Sequence, residues 1–366
     1  MKKILILANS SGGLFRFRKE LVERLIHEGN DVYISTPNGD YIENIKKLKA
    51  KVIISKIYRR SINPIHDLRL VLQYLKIVQT IKPDLIITYT IKPNIYGGII
   101  SRILRIPYVS NITGLGTVFQ KKNLIKKLVC ILYKISEKSA KIVFFENVEN
   151  KETFLKLHLI ERKQAHILNG AGVNLVDFPL TDYPKNNNAT RFLFIGRIMK
   201  EKGVDELFDA IKKLISEGTD CSLDIVGPYE ENYAEVIKKY VEEGWLHYHG
   251  YQKDVRPFIA NCHCAVLPSW HEGMSNVNLE CASMGRPIIT SDIHGCKEAV
   301  VNGTSGILVE KKNTEDLKRA MQIFDELPYQ KRKEMGIAAR KLMESKFSKE
   351  RVVAETISVL QTKYLI

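Results

Sequence analysis

One feature constrains this chain more than any other. Short, nearly all-apolar runs rich in β-branched residues are each followed by a stretch of helical periodicity, and the alternation runs through the sequence twice. In the first pass the apolar runs fall at 4–7, 32–35, 52–54, 85–88, 108–110, 142–145 and 166–168. Leu14, Phe17, Leu21, Val22, Leu25 and Ile26 recur at helical spacing between the first two, and Gly29 stands where a C-terminal cap belongs. Leu68, Val71, Leu72, Leu75, Val78 and Ile81 form another apolar stripe, stopped by Pro83. Strands that alternate with helices make a parallel sheet covered on both faces. Residues 179–190 (PLTDYPKNNNAT) break the pattern with two prolines and an Asn run and read as a linker. Alternation restarts with runs at 192–195, 222–226, 246–249, 265–267, 287–290 and 306–309, and from 313 on the pattern is helical. The expected architecture is α/β, two doubly wound domains facing each other across a cleft. The first spans 1–178, with the last helix (348–366) returning to it, and the second spans 179–347.

Composition fits that reading. A chain of 366 residues is long enough for two domains with real cores. With 45% hydrophobic and 27% charged residues, disordered and collagen-like classes are excluded. No stretch approaches the roughly 20 apolar residues of a membrane-spanning helix. Lys2-Lys3 precede only five apolar residues before Asn9, where a secretory segment needs about 7–15. A cytoplasmic location is therefore expected, with the sequons at Asn111, Asn188 and Asn302 silent. The cysteines at 130, 221, 262, 264, 281 and 296 include no CxxC pair. The one cluster, Cys262-His263-Cys264, would point to opposite sides of a strand, so buried thiols are expected rather than metal ligands. Charge is uneven: residues 1–170 carry thirty Lys and Arg against thirteen acids, and the remainder twenty-six against twenty-eight. Such asymmetry points to a polyanion, an anionic bilayer or a phosphorylated substrate on the first half.

In open parallel sheets ligands bind beyond the carboxyl ends of the strands, so candidate residues are sought there. After the first strand comes Asn9-Ser10-Ser11-Gly12-Gly13, either a plain tight turn or, through Gly12 and Gly13, a close approach to an anion at a helix N-terminus. The absence of G-x-G-x-x-G counts against a dinucleotide dehydrogenase. The run at 192–195 leads into Gly196-Arg197, with Lys202-Gly203 five residues on. Two cations on one short loop suit a diphosphate, Arg197 as a planar fork and Lys202 as a point charge; the plain alternative is two solvated side chains. The richest segment is Pro268-Ser269-Trp270-His271-Glu272-Gly273-Met274-Ser275-Asn276-Val277-Asn278-Leu279-Glu280. A loop bearing Glu272 and Gly273 precedes a helix whose first amides, around Gly273, Met274, Ser275 and Asn276, would face phosphate oxygens. Glu280 lies among Leu279, Cys281 and Ala282, where a carboxylate needs a partner. Ribose hydroxyls would serve for Glu280 and sugar hydroxyls for Glu272. The alternative is one loop acid and one structural ion pair.

The E-x7-E pattern of Glu272 and Glu280, with the G-R-x4-K-G pattern of Gly196-Arg197 and Lys202-Gly203, resembles the retaining family-4 glycosyltransferases of the GT-B fold. The resemblance extends over essentially the whole chain, including Asn169-Gly170 and the Val226-Gly227-Pro228 turn. It implies that Arg197 and Lys202 bind the donor diphosphate, that Glu280 binds the ribose and that Glu272 contacts the donor sugar. Arg59-Arg60-Ser61-Ile62-Asn63-Pro64 and Thr113-Gly114-Leu115-Gly116-Thr117-Val118-Phe119 resemble the subgroup that extends polyprenyl-diphosphate-linked oligosaccharides, which includes N-acetylgalactosaminyl- and galactosyltransferases. Where many members carry His-Gly, this chain has Thr113-Gly114, which puts Thr113 in place of a histidine that contacts the donor sugar.

The implied reaction moves a hexose or N-acetylhexosamine from a UDP-sugar to a lipid-linked saccharide with retention. No two aspartates are separated by one residue, so no D-x-D metal motif is present and no obligatory metal or cofactor is expected. The charge on the leaving diphosphate would fall to Arg197, Lys202 and helix amides. Residues 121–141 hold seven lysines and one acid, with Leu124, Leu128, Ile131, Leu132 and Ile135 in an apolar stripe. Lys121, Lys122, Lys126 and Lys127 crowd its first turns. Such a helix fits the anionic inner face of the cytoplasmic membrane or the diphosphate of a lipid-linked acceptor; the alternative is a domain helix packing its stripe on the sheet. Nucleic acid is not expected, since no recognised motif or aromatic-interleaved basic stripe is present. Two other activities remain open: an epimerase or hydrolase of UDP-sugars on the same fold, and a non-catalytic membrane- or polyanion-binding protein.

Overall fold

The computed structural model describes residues 1–59, 61, 63–116, 119, 124–185 and 189–366. Lys121, Lys122, the sequon at Asn188, and Arg60, Ile62, Thr117 and Val118 of the two subgroup motifs lie outside the described residues. The chain divides into two units, Met1–Ala171 with Lys349–Ile366, and Gly172–Ser348.

In the first unit the elements are β1 (Lys3–Leu7), α1 (Ser11–His27), β2 (Asp31–Thr36), α2 (Ile42–Lys47), β3 (Lys51–Ile54), α3 (Pro64–Ile81), β4 (Leu85–Tyr89), α4 (Ile91–Leu104), β5 (Tyr108–Ile112), α5 (Leu124–Glu137), β6 (Ile142–Phe145), α6 (Val148–Lys156) and β7 (Ala165–Ile167). The second unit contains β8 (Thr190–Ile195), α7 (Val204–Ser216), β9 (Cys221–Val226), α8 (Ala234–Glu242), β10 (Leu246–Tyr248), α9 (Arg256–Asn261), β11 (Cys264–Leu267), α10 (Asn276–Ser283), β12 (Ile288–Ser291), β13 (Gly306–Val309), α11 (Thr314–Glu326) and α12 (Tyr329–Leu342). The last helix, α13 (Lys349–Thr362), belongs to the first unit, where Val353, Ile357 and Leu360 join a core with Leu21, Val22 and Ile34.

Both sheets are parallel. Their strand orders are β3-β2-β1-β4-β5-β6-β7 and β10-β9-β8-β11-β12-β13, so direction of growth reverses beside β1 and beside β8. β1 sets Leu7 opposite both Ser35 and Thr88, and β8 sets Ile195 opposite Val226. Strands buried on both faces explain the nearly continuous apolar runs. The division at 171/172, rather than at 178/179, has a packing cause: the Val173 N–H donates to the Phe347 carbonyl (2.8 Å), and Val173, Leu175 and Phe178 pack into the core of the second unit.

Two helices differ from their sequence pattern. On α3 the buried side chains are Leu70, Tyr74, Ile77, Val78 and Ile81, while Leu68 and Leu72 of the apolar stripe lie outside, 59 and 56% exposed. On α5, Tyr133 enters the core and Leu132 packs against it, whereas Leu124, Leu128, Ile131 and Ile135 do not pack on the sheet and are exposed. A buried acid, Glu137, ends α5; it accepts from Ser110 Oγ (2.7 Å), and burial pushes its pKa up to about 8.

Candidate active site

The second unit gathers candidate residues at the carboxyl ends of β8, β9, β11 and β12. Beyond β8, the Gly196 N–H donates to the Val226 carbonyl (3.0 Å), laying Gly196 beside Gly227 at the end of β9. Arg197 is exposed, with Nη1 3.5 Å from Glu230 Oε2 on the neighbouring loop.

A single turn, Lys200–Lys202, then reverses the chain. Gly203 ends it at φ +72°, and a Cβ there would sit 2.2 Å from the Pro268 carbonyl oxygen. Only glycine allows that approach. It carries Lys202 against the loop after β11, where Nζ forms an ion pair with Glu272 Oε1. Both side chains are mostly buried, and Ser269 Oγ donates to the same carboxylate oxygen (2.9 Å). The Trp270 N–H donates to the Glu201 carbonyl (3.0 Å) and its indole to Glu206 Oε1 (3.1 Å), so turn and loop are laced together. A cation and an acid that sequence separates by 70 residues thus share one small site.

The loop enters α10 through Ser275, whose Oγ accepts from the Asn278 N–H (3.2 Å) as an N-cap. Of the amides expected to be open at this helix start, that of Ser275 already donates to the Gly295 carbonyl (2.7 Å). Met274 is buried; Asn276 opens the helix with its Oδ1 buried and without a hydrogen-bond partner. Glu280 is half-buried between the fully buried Leu279 and Cys281.

Three residues of this neighbourhood carry weight that the sequence pattern did not assign. His271 lies 3.6 Å from Glu201 Oε2, burial lowers its pKa, and its Nδ1 is buried with no partner. Gly295, after β12, has φ +91°, and a Cβ there would meet the Glu272 and Gly273 carbonyl oxygens at 2.7 Å. Glu298 holds that glycine by accepting its N–H (2.7 Å), and its other oxygen meets His294 Nδ1 (2.9 Å). The glycine and acid are visible in sequence, but nothing local says that they brace a loop reached through another strand.

The remaining candidates belong to the first unit. Gly12 and Gly13 lie in the first turn of α1, where Ser10 Oγ accepts from the Gly13 N–H (3.1 Å). Thr113 and Gly114 follow β5, half-buried. Ser61 of the first subgroup motif is clamped from two sides, its carbonyl accepting from Lys92 Nζ (2.7 Å) and its Oγ meeting His66 Nδ1 (3.0 Å). On α5, Lys126 Nζ turns to the Phe119 carbonyl (2.7 Å), while Lys127 is exposed. Among the described residues no group of three or more His, Cys, Asp or Glu side chains is placed to hold a metal ion.

Two parallel α/β units, with paired cation and carboxylate at strand ends of the second, define a class, the GT-B glycosyltransferases. Comparison with known proteins agrees. The pattern of the glycosyl transferase 4-like family matches residues 3–147, and that of the glycosyl transferases group 1 matches residues 189–324. The N,N'-diacetylbacillosaminyl-diphospho-undecaprenol alpha-1,3-N-acetylgalactosaminyltransferase of Campylobacter jejuni is 28% identical over 338 residues, covering 88% of this chain and 89% of that protein. The capsular polysaccharide biosynthesis glycosyltransferase CapM of Staphylococcus aureus is 24% identical, covering 93% of this chain and 92% of that protein. The crystal structure of Anabaena HepE in complex with UDP and glucose superposes with a TM-score of 0.80 at 16% identity, covering 99% of this chain and 100% of that one. The chain belongs to the glycosyl transferase family whose 4-like and group 1 regions its two halves carry.

Proposed function

We propose that this protein transfers a hexose or N-acetylhexosamine from a UDP-sugar to a polyprenyl-diphosphate-linked saccharide, with retention, at an anionic membrane surface. The observation that carries the reading is the Lys202–Glu272 pair, which joins the loops after β8 and β11; Arg197 lies on the same loop as Lys202, near Glu230. Lys202 and Arg197 would take the diphosphate, Glu272 the sugar hydroxyls and Glu280 the ribose. The bond from the anomeric carbon to the diphosphate oxygen breaks, and the acceptor hydroxyl forms the new glycosidic bond on the same face. Its proton passes to the departing phosphate, so the products are UDP and the extended saccharide. No carboxylate of the sequence is assigned as a nucleophile; front-face substitution needs none. The two cations stabilise charge as it develops on the leaving group. The activities for which the Campylobacter and Staphylococcus relatives are named support a lipid-linked acceptor and glycan assembly, and the UDP complex of HepE supports the donor class. The exposed apolar stripe of α5 supports membrane contact. No helix of the described residues is long and apolar enough to cross a bilayer, so contact would be peripheral.

The test is a screen of UDP-, GDP- and dTDP-sugars with a short polyprenyl-diphosphate-linked acceptor, with product configuration read by NMR. Transfer from a UDP-sugar with retention is expected. Release or epimerisation of the sugar without acceptor would favour the hydrolase or epimerase reading instead.

A further inference from the structure

We infer that membrane contact is made by a composite face, in which the outer side of α3 and the C-terminal end of α4 join α5 on one anionic bilayer. The inference rests on the membrane reading above and extends it to residues that the α5 stripe does not include. The starting observation is the displaced stripe of α3. Ile65, Leu68 and Leu72 follow one another at helical spacing on its solvent side, each more than half exposed, with Arg69 and Lys76 exposed among them. A helix that buries one apolar face and exposes another has a second surface to account for.

Three facts place that surface with α5. First, the inward residues of α3, α4 and α5 (Leu70 and Tyr74, Ile95 and Ile100, Tyr133) belong to one core on one face of the seven-stranded sheet. Second, α4 packs against α3 on one side and α5 on the other, so the outward sides of all three point away from the same sheet. Third, α4 ends on that side with Arg102, Ile103 and Arg105 exposed, Ile103 by 69%. The apolar positions of α3 and α5 therefore flank one helix on one side of the unit.

The charge chooses the occupant. Residues 64–141 contain thirteen Lys and Arg and three acids. All three acids are engaged: Asp67 pairs with Lys92 (2.6 Å), Asp84 accepts from the Lys3 N–H (2.7 Å), and Glu137 is fully buried. On the outer face Lys127, Lys134 and Lys138 flank the α5 stripe as Arg69 and Lys76 flank that of α3. Exposed aliphatic side chains ringed by cations, with the acids of these helices paired to Lys92 or buried, match a surface of acyl chains and anionic headgroups. Each cation near such a surface strengthens binding about fivefold, and each weakens with salt.

The test is sedimentation of the full chain with phosphatidylglycerol-rich vesicles, with phosphatidylcholine vesicles as control. Leu68→Glu with Leu72→Glu is expected to weaken binding at least tenfold while leaving UDP affinity and the melting temperature unchanged. Leu128→Glu with Ile131→Glu is expected to do the same. Leu68→Trp, which keeps the patch apolar, is expected to be quenched by brominated lipid. If the α3 variant binds as well as wild type while the α5 variant does not, the composite face is overturned and the α5 reading stands. If wild-type protein ignores anionic vesicles, both fall. If wild type is a dimer in solution that the α3 variant dissociates, the patch is a contact between copies of this chain and the inference is overturned.

Discussion

Lys202 and Glu272 decide most about the site, because each is useful only in the other's company. Taken alone, Lys202 is one more cation in a basic chain; paired with Glu272, it is a nearly buried charge held ready beside a loop that can meet a sugar. On the proposed mechanism, Arg197→Ala and Lys202→Ala are each expected to lower kcat about a hundredfold or more, because both cations would act most strongly as charge develops on the leaving diphosphate. Glu280→Ala is expected to raise the donor KM and the calorimetric Kd for UDP with a smaller effect on kcat. Full activity in all three variants would sink the assignment. Glu137 makes a second prediction at this scale. Its folded pKa is raised to about 8, so between the ordinary carboxylate range and pH 8 the folded state holds a proton that the unfolded chain has released. The stability it contributes is therefore fully present at pH 4 and is lost as pH rises towards and through 8. Glu137→Gln, which keeps the shape without the ionisation, is expected to match wild type in denaturant melts near pH 4. It should exceed wild type by on the order of a few kcal/mol near pH 8.

Among the elements, α10 is the one whose start matters. Its N-cap Ser275 is tied through its own N–H to Gly295, and Gly295 is tied to Glu298, so the loop after β12 sets where the loop after β11 ends. Glu298→Ala is expected to raise the donor KM several-fold, whereas Glu298→Gln, still able to accept from the Gly295 N–H, should restore it. Gly295→Ala is expected to be worse than either, since the new methyl would meet two carbonyl oxygens at 2.7 Å with the backbone in the left-handed region. The measurement is the KM-against-kcat split: a fall in apparent kcat at unchanged KM in every variant would mean loss of folded enzyme rather than positioning. The same scale explains α4. Gly97 and Gly98 have no room for a Cβ, which would come within 2.8 Å of Leu7 and Tyr108, and their bareness lets α4 lie close on the sheet between α3 and α5.

For the whole molecule, each unit has its own core, and α13 completes the first from the far end of the chain. Saturating UDP is expected to raise the melting transition of the second unit in calorimetry and leave that of the first in place, by about 2.7 kcal/mol at a hundredfold excess over Kd. A shift of the first unit's transition alone would reverse the assignment of the donor site. Removing 349–366 would strip Val353, Ile357 and Leu360 from the first core and is expected to abolish its transition while UDP still shifts the second. Much of this was legible without coordinates. The alternation of apolar runs and helical stretches determines two parallel sheets, because a strand buried on both faces and a helix with one apolar stripe each have few ways to be covered. Arg197 and Glu272 could be picked out as candidates in the same way, since a strand-to-helix turn puts its residues at the carboxyl edge whatever the rest of the fold does, whereas Glu280, inside α10, stood out only as an acid among apolar neighbours. What only the tertiary structure decided is which of two apolar faces of α3 the sheet would cover, that the α5 stripe except Leu132 stays outside, that the Ser275 amide is already taken, and that Lys202 meets Glu272. Periodicity tells that a helix has an apolar side, but which neighbour covers it, and which polar groups arrive from distant strands, depends on contacts between residues far apart in the chain.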